Sequence, residues 1–133
     1  MYQELIDKKA KLAVIGLGYV GLPIALEFAK RISVIGFDIN PKRVEMMKQG
    51  IDPSNELEKE AFEGCDITFT DSIDVLREAR FLVVAVPTPV DEHNVPDLTP
   101  VKKASETVGK VVKKGDYVVF ESTSTWEKVS IID

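Results

Sequence analysis

Residues 16–21 read Gly-Leu-Gly-Tyr-Val-Gly, and what stands on either side makes this stretch the strongest constraint on the fold. The apolar run Leu12 to Ile15 precedes it, and an apolar stretch with helical spacing follows it to about Lys30. A strand, a glycine-rich turn and a helix in that order form the phosphate-binding opening of a dinucleotide fold. Gly16 permits the tight turn, Gly18 lets a backbone approach a pyrophosphate without a Cβ in the way, and Gly21 lets helix and strand pack closely. The helix N-terminus then offers free N–H groups and positive dipole charge to the phosphates.

Glycines also serve ordinary turns, so the next strand carries the discrimination. It runs from Ile32 to Phe37 and ends at Asp38, about 20 residues beyond Gly18, where a carboxylate can accept hydrogen bonds from both adenosine ribose hydroxyls. A carboxylate there repels the extra phosphate of NADP, so NAD is the expected cofactor. Arg43 follows in the first turns of the next helix, within reach of the adenine face or the ribose.

Further apolar runs of strand length lie at Ile67 to Phe69, Phe81 to Val86 and Tyr117 to Phe120, separated by stretches of helical spacing. Their near-continuous Val, Ile and Phe content predicts strands covered on both faces, hence an α/β fold with a parallel sheet. Asn40-Pro41 and Thr99-Pro100 each predict a helix start with a capping side chain and an early proline. Beyond Thr99, apolar positions Val101, Ala104, Val108 and Val111 form one stripe beneath a Lys-rich face. A shorter helix is expected from Thr70 and Asp71 through Ile73, Leu76 and Ala79. Residues 50–64 read as a connection with a helical turn within Asn55 to Phe62.

Two clusters fall at the carboxyl ends of later strands, where ligands bind in open α/β sheets. Val86-Pro87-Thr88-Pro89 is a proline-stiffened loop whose Thr88 hydroxyl is expected to face the nicotinamide side of the cofactor. Glu121-Ser122-Thr123 supplies hydroxyls and a carboxylate to the same crevice, although Ser and Thr after a strand are commonly turn formers. His93, the single histidine, has no second histidine or cysteine placed to share a metal, and it is expected to be a solvated loop residue.

With 133 residues the chain is expected to form one domain, and 44% hydrophobic with 29% charged residues marks it as globular. The net charge of -5 and the scattered Lys and Arg residues argue against nucleic acid as a partner. No apolar run approaches the roughly 20 residues that cross a bilayer, and residues 1–11 are polar, so neither membrane association nor a secretory signal is expected. A cytoplasmic location follows, in keeping with the single cysteine, Cys65, which is expected to be a half-buried small residue.

Taken together, Gly-Leu-Gly-Tyr-Val-Gly-Leu-Pro at 16–23, Phe-Asp-Ile-Asn at 37–40, Val-Pro-Thr-Pro at 86–89 and Glu-Ser-Thr at 121–123 resemble the UDP-glucose/GDP-mannose dehydrogenase family over roughly residues 8–123. Val-Pro-Thr-Pro-Val-Asp-Glu-His-Asn at 86–94 and Pro-Asp-Leu-Thr-Pro at 96–100 are most similar to members that oxidise UDP-N-acetylhexosamines. β-Hydroxyacid dehydrogenases share the Gly-Leu-Gly opening, but the clusters at 86–89 and 121–123 argue against them.

The resemblance implies a two-step, NAD-dependent oxidation of a UDP-sugar C6 alcohol to a carboxylate; bacterial members commonly feed capsule or O-antigen synthesis. It implies that Gly16, Gly18, Tyr19, Val20 and Gly21 hold the pyrophosphate and that Asp38 and Arg43 hold the adenosine. Pro87, Thr88, Ser122 and Thr123 would line the inner half of the cofactor site, Thr123 also helping to position a water in the hydrolytic step.

The resemblance departs at Ser124, where a Pro-Gly turn is usual and this chain reads Ser-Thr-Trp-Glu-Lys. The family's nucleophilic cysteine, catalytic lysine and sugar-binding domain come later, and Cys65 is in the wrong segment to replace them. The expectation is therefore an NAD-binding Rossmann domain over 1–123 with a divergent tail over 124–133, inactive alone. Five strands in order 3-2-1-4-5, truncated before a sixth, would leave the fifth strand with an unpaired edge, and a homo-oligomer through that edge or the tail is expected. Two other readings stay open: a free-standing NAD-responsive module whose Trp126-bearing tail engages a partner protein, and a subunit that joins a separately encoded catalytic chain.

Overall fold

A computed structural model describes residues 3, 7, 10–18, 20–53, 55, 57–86, 98–121 and 126–131. The strands are β1 (Lys11–Ile15), β2 (Val34–Phe37), β3 (Ile67–Thr70), β4 (Ala79–Val84), β5 (Tyr117–Glu121) and β6 (Trp126–Ile131). The helices are α1 (Gly21–Ala29), α2 (Pro41–Lys48), α3 (Ile73–Leu76) and α4 (Thr99–Val111), with a 3₁₀ turn at Lys59–Phe62. One sheet has the order β3-β2-β1-β4-β5-β6. Its first five members are parallel in the expected order 3-2-1-4-5.

Side chains alternate across the strands, so each strand feeds two cores. Leu12, Val14, Val34, Phe69 and Val83 face α1 and α2, meeting Leu22, Ala25, Leu26, Val44 and Met47. Ala13, Ile15, Ile35, Phe37, Leu82 and Val84 face the other way, against Leu76 of α3 and Ala104, Val108 and Val111 of α4. Two apolar layers on one sheet explain why these strands read as continuous apolar runs. The sheet's winding reverses between β1 and β4, which opens a crevice at their carboxyl ends.

The expected bare edge on β5 is covered. β6 pairs with it antiparallel, with Tyr117 opposite Ile131 and Val119 opposite Val129. Only residues 122–125 separate the two strands, and so short a link returns the chain as a hairpin, whereas a parallel partner needs a crossover of about a dozen residues or more. Trp126, Val129 and Ile131 are residue types that favour strands, so the tail carried that signal in its composition.

Other boundaries move less. Asn40 caps α2 as expected, its side chain accepting from the amides of Lys42 at 3.0 Å and Arg43 at 3.3 Å. The α4 cap shifts by one residue: Leu98 occupies the N-cap and Thr99 begins the helix. The helix expected through Ala79 ends at Leu76, because Ala79 is fully buried and pairs with Lys11 as the start of β4. Thr70 belongs to β3, and its hydroxyl accepts from the Ser72 amide at 3.0 Å.

Candidate functional site

The turn after β1 is built by two glycines that no other residue can replace without movement. Gly16 has φ +96°, in the left-handed region, and a Cβ there would lie 2.8 Å from Val86 Cγ1 and 3.1 Å from the Ala85 carbonyl oxygen. Gly21 faces the Gly16 carbonyl so closely that a Cβ on it would overlap that oxygen. Gly18 is different: a Cβ on it would meet nothing within 4 Å. Packing explains the first and third glycines of the motif, whereas a Cβ on the second would enter open space beside the cavity that it lines.

α1 starts at Gly21 with no side chain capping it and no acidic residue in its first turn. The Leu22 amide is taken by the Gly18 carbonyl at 3.1 Å and Pro23 carries no N–H, so the positive dipole rather than a row of open amides marks this end. Val20 takes the N-cap position, with its side chain packed against the core on that face of the sheet.

Asp38 stands just past the end of β2, only 13% exposed, and it is tied to the glycine turn rather than solvated. Its Oδ2 accepts from the Leu17 amide at 3.3 Å and its Oδ1 accepts from the Asn40 amide at 3.0 Å. The Arg43 Nε lies 3.6 Å from Asp38 Oδ2, and Arg43 Nη2 donates to the Leu17 carbonyl oxygen at 3.0 Å. A carboxylate offers about four lone-pair positions, and the two backbone donors occupy two of them, so Asp38 keeps capacity to accept further hydrogen bonds.

These residues line one cavity of about 340 Å³, within the usual range for small-ligand sites. Ile15, Gly16, Leu17 and Gly18 come from the end of β1, Phe37, Asp38 and Ile39 from the end of β2, and Val86 from beyond β4. Its far wall is α4, through Pro100, Lys103, Ala104 and Thr107. Of the residues the sequence proposes for the site, Gly16, Gly18, Asp38 and Arg43 line this cavity, whereas Val20 and Gly21 do not. Tyr19, Pro87, Thr88, His93, Ser122 and Thr123 lie outside the described residues.

The α4 wall was not anticipated. Positions 100, 103, 104 and 107 sit three and four apart, beside the core stripe that uses Ala104, Val108 and Val111. Thr107 is the detectable signal: a buried polar residue on a packing helix, its hydroxyl donating to the Lys103 carbonyl at 3.1 Å. Among the described residues no group of His, Cys, Asp or Glu could hold a metal ion. No described helix is long and apolar enough to cross a membrane.

Cys65 lies away from the cleft and is half-buried, as expected. Its Sγ is 3.4 Å from the Leu26 carbonyl and 3.5 Å from that of Ala61. Burial pushes its thiol pKa up, with Lys30 opposing the shift and Glu27 adding to it.

Comparison with known proteins matches the same architecture. The sequence profile of the UDP-glucose/GDP-mannose dehydrogenase family, NAD binding domain, matches residues 10–132, which takes in the stretch after Thr123. The UDP-N-acetyl-D-glucosamine 6-dehydrogenase of Pseudomonas aeruginosa is 52% identical over 117 residues, covering 87% of this chain and 28% of that protein. The UDP-N-acetyl-D-mannosamine dehydrogenase of Escherichia coli K12 is 40% identical over 121 residues, covering 86% of this chain and 28% of that protein. Among solved structures, the UDP-N-acetyl-mannosamine dehydrogenase Cap5O of Staphylococcus aureus superposes with a TM-score of 0.73 at 30% identity, covering 86% of this chain and 29% of that one. The chain spans a little over a quarter of the length of these relatives. A doubly wound sheet, a glycine turn and a strand-end aspartate facing one cleft agree with that match, and the chain belongs to the UDP-glucose/GDP-mannose dehydrogenase family as its NAD-binding domain.

Proposed function

We propose that this domain holds NAD along the carboxyl edge of the sheet and serves an enzyme that oxidises the C6 alcohol of a UDP-N-acetylhexosamine. The observation that carries the reading is the pairing of open space at Gly18 with the Asp38 carboxylate across the same cavity. Gly16, Gly18, Tyr19, Val20 and Gly21 would lie along the pyrophosphate. Asp38 would accept from the adenosine ribose, with Ile39 and Arg43 beside the adenine. Pro87, Thr88, Ser122 and Thr123 would line the nicotinamide end, with Thr123 positioning the water of the hydrolytic step.

Bound there, NAD supplies the hydride acceptor. The chain's own residues bind and orient it: the α1 dipole and turn amides meet phosphate charge, and Asp38 selects against a 2′-phosphate. The choice of N-acetylhexosamine is supported by relatives named UDP-N-acetyl-D-glucosamine 6-dehydrogenase at 52% and 50% identity, above those named for the mannosamine sugar at 39% and 40%. A cytoplasmic location, where the NAD pool and a reducing environment meet the needs of such an enzyme and of the free Cys65, belongs to the same proposal.

Fluorescence titration of the chain with NADH tests the binding half. Saturable binding is expected, with NADPH at least about tenfold weaker. A folded chain that binds neither at millimolar concentration would overturn it. An enzyme built on this domain should reduce NAD with UDP-N-acetyl-D-glucosamine faster than with UDP-glucose; the reverse order would overturn the substrate assignment.

A further inference from the structure

We propose that Arg43 is a positioning residue for the glycine turn, locking the Leu17–Gly18 peptide so that the Gly18 amide is presented to the cleft before any ligand arrives. The inference deepens the NAD-binding reading and rests on it for its effect on affinity. The geometry is a closed circuit. Asp38 Oδ1 accepts from the Asn40 amide, the Asn40 side chain accepts from the Arg43 amide, Arg43 Nη2 donates to the Leu17 carbonyl, and the Leu17 amide donates back to Asp38 Oδ2. The two charged side chains therefore hold Leu17 from both sides, Asp38 at its N–H and Arg43 at its C=O.

What this leaves over is specific. The Gly18 carbonyl accepts from the Leu22 amide at 3.1 Å as α1 begins, and the Leu17 carbonyl is taken by Arg43. The Gly18 N–H has no partner among the described residues. Across a trans peptide this N–H points opposite to the Leu17 carbonyl, so fixing the carbonyl on Arg43 also fixes the direction of the free donor. Gly18 has no Cβ to shield it and open space around it. Arginine suits the task because its planar fork offers separate N–H groups to a carboxylate and a carbonyl at once. A pre-aimed donor spares the ligand the entropy of ordering the turn.

The test compares R43M and R43K with the wild-type chain by amide hydrogen exchange in the absence of ligand and by NADH titration. R43M keeps much of the apolar stem and removes the fork; R43K keeps a cation beside Asp38 without the planar pair of donors. The Leu17 amide should exchange about tenfold faster in R43M, and by a smaller factor in R43K, while the Gly16 amide, held by Phe37, stays unchanged. NADH affinity should fall about three- to tenfold in R43M. Unchanged Leu17 exchange in unliganded R43M overturns the proposal even if NADH binding weakens, since Arg43 would then act on the ligand alone. Full wild-type protection in R43K would overturn the role given to the fork. Absence of NADH binding by the wild type would sink the proposed function, while Leu17 exchange would still decide the lock.

Discussion

A Cβ on Gly21 would overlap the carbonyl oxygen of Gly16, so the β1 turn and the α1 helix touch backbone to backbone. The obstacle is main chain and cannot rotate away. Gly21→Ala is expected to destabilise the fold by at least about 3 kcal/mol, measured by urea unfolding. A loss within about 0.5 kcal/mol would show that the turn can shift and that the contact is not obligatory.

Gly18→Ala should separate binding from folding. Its φ is not in the left-handed region and a Cβ there meets nothing, so stability should stay within about 0.5 kcal/mol of wild type. The same methyl group intrudes where the pyrophosphate would lie, and NADH affinity should drop at least about tenfold. Unaltered NADH binding would place the phosphates elsewhere.

Asp38→Asn removes the charge while keeping the shape. It also replaces one of the two acceptor oxygens that serve Leu17 and Asn40 with an amide group, which should cost about 1 kcal/mol of stability. The preference for NADH over NADPH, read from paired titrations, should narrow by about tenfold or more once the carboxylate no longer repels a 2′-phosphate. A preserved preference would mean that another group sets it.

Asp116 anchors the opposite, amino-terminal edge of the sheet. It is fully buried and accepts from the Lys113 amide at 2.8 Å, with Arg80 Nε at 3.3 Å and Lys113 Nζ at 3.2 Å. The same Lys113 Nζ donates to the carbonyls of Arg77 and Ala79, joining the α3 exit to the start of β4. Asp116→Ala leaves the Lys113 amide without this partner, and because both cations are about half exposed the expected loss is discounted to about 2 kcal/mol. NADH affinity should be unchanged, and a parallel loss of binding would reveal coupling between the two edges.

Cys65 should alkylate more slowly than a free thiol at neutral pH, because burial raises its pKa and the thiolate is the reactive form. The folded state holds the proton more tightly than the unfolded one, so between the unfolded and folded thiol pKa values stability should fall as pH rises. Iodoacetamide labelling followed by mass spectrometry across alkaline pH checks the first expectation. Labelling as fast as that of a small free thiol would contradict the raised pKa.

Local chemistry was enough to reveal much of this protein. The strands β1 to β5, the capped start of α2, the glycine turn and Asp38 all announce themselves within short windows, because burial on two faces, helix capping and left-handed backbone each demand particular residue types. The tertiary structure alone decided three things. Pro100, Lys103 and Thr107 of α4 became a wall of the cleft, because the helix packs its apolar stripe on the sheet face and borders the cavity at the ends of β1 and β2. Residues 126–131 became a strand on the β5 edge, because a four-residue return permits little else. Arg43 and Asp38 came to hold the two sides of Leu17, a relation between residues up to 26 positions apart that no local pattern encodes. Sequence periodicity reports which face of an element is buried; which neighbour it is buried against depends on contacts distant along the chain.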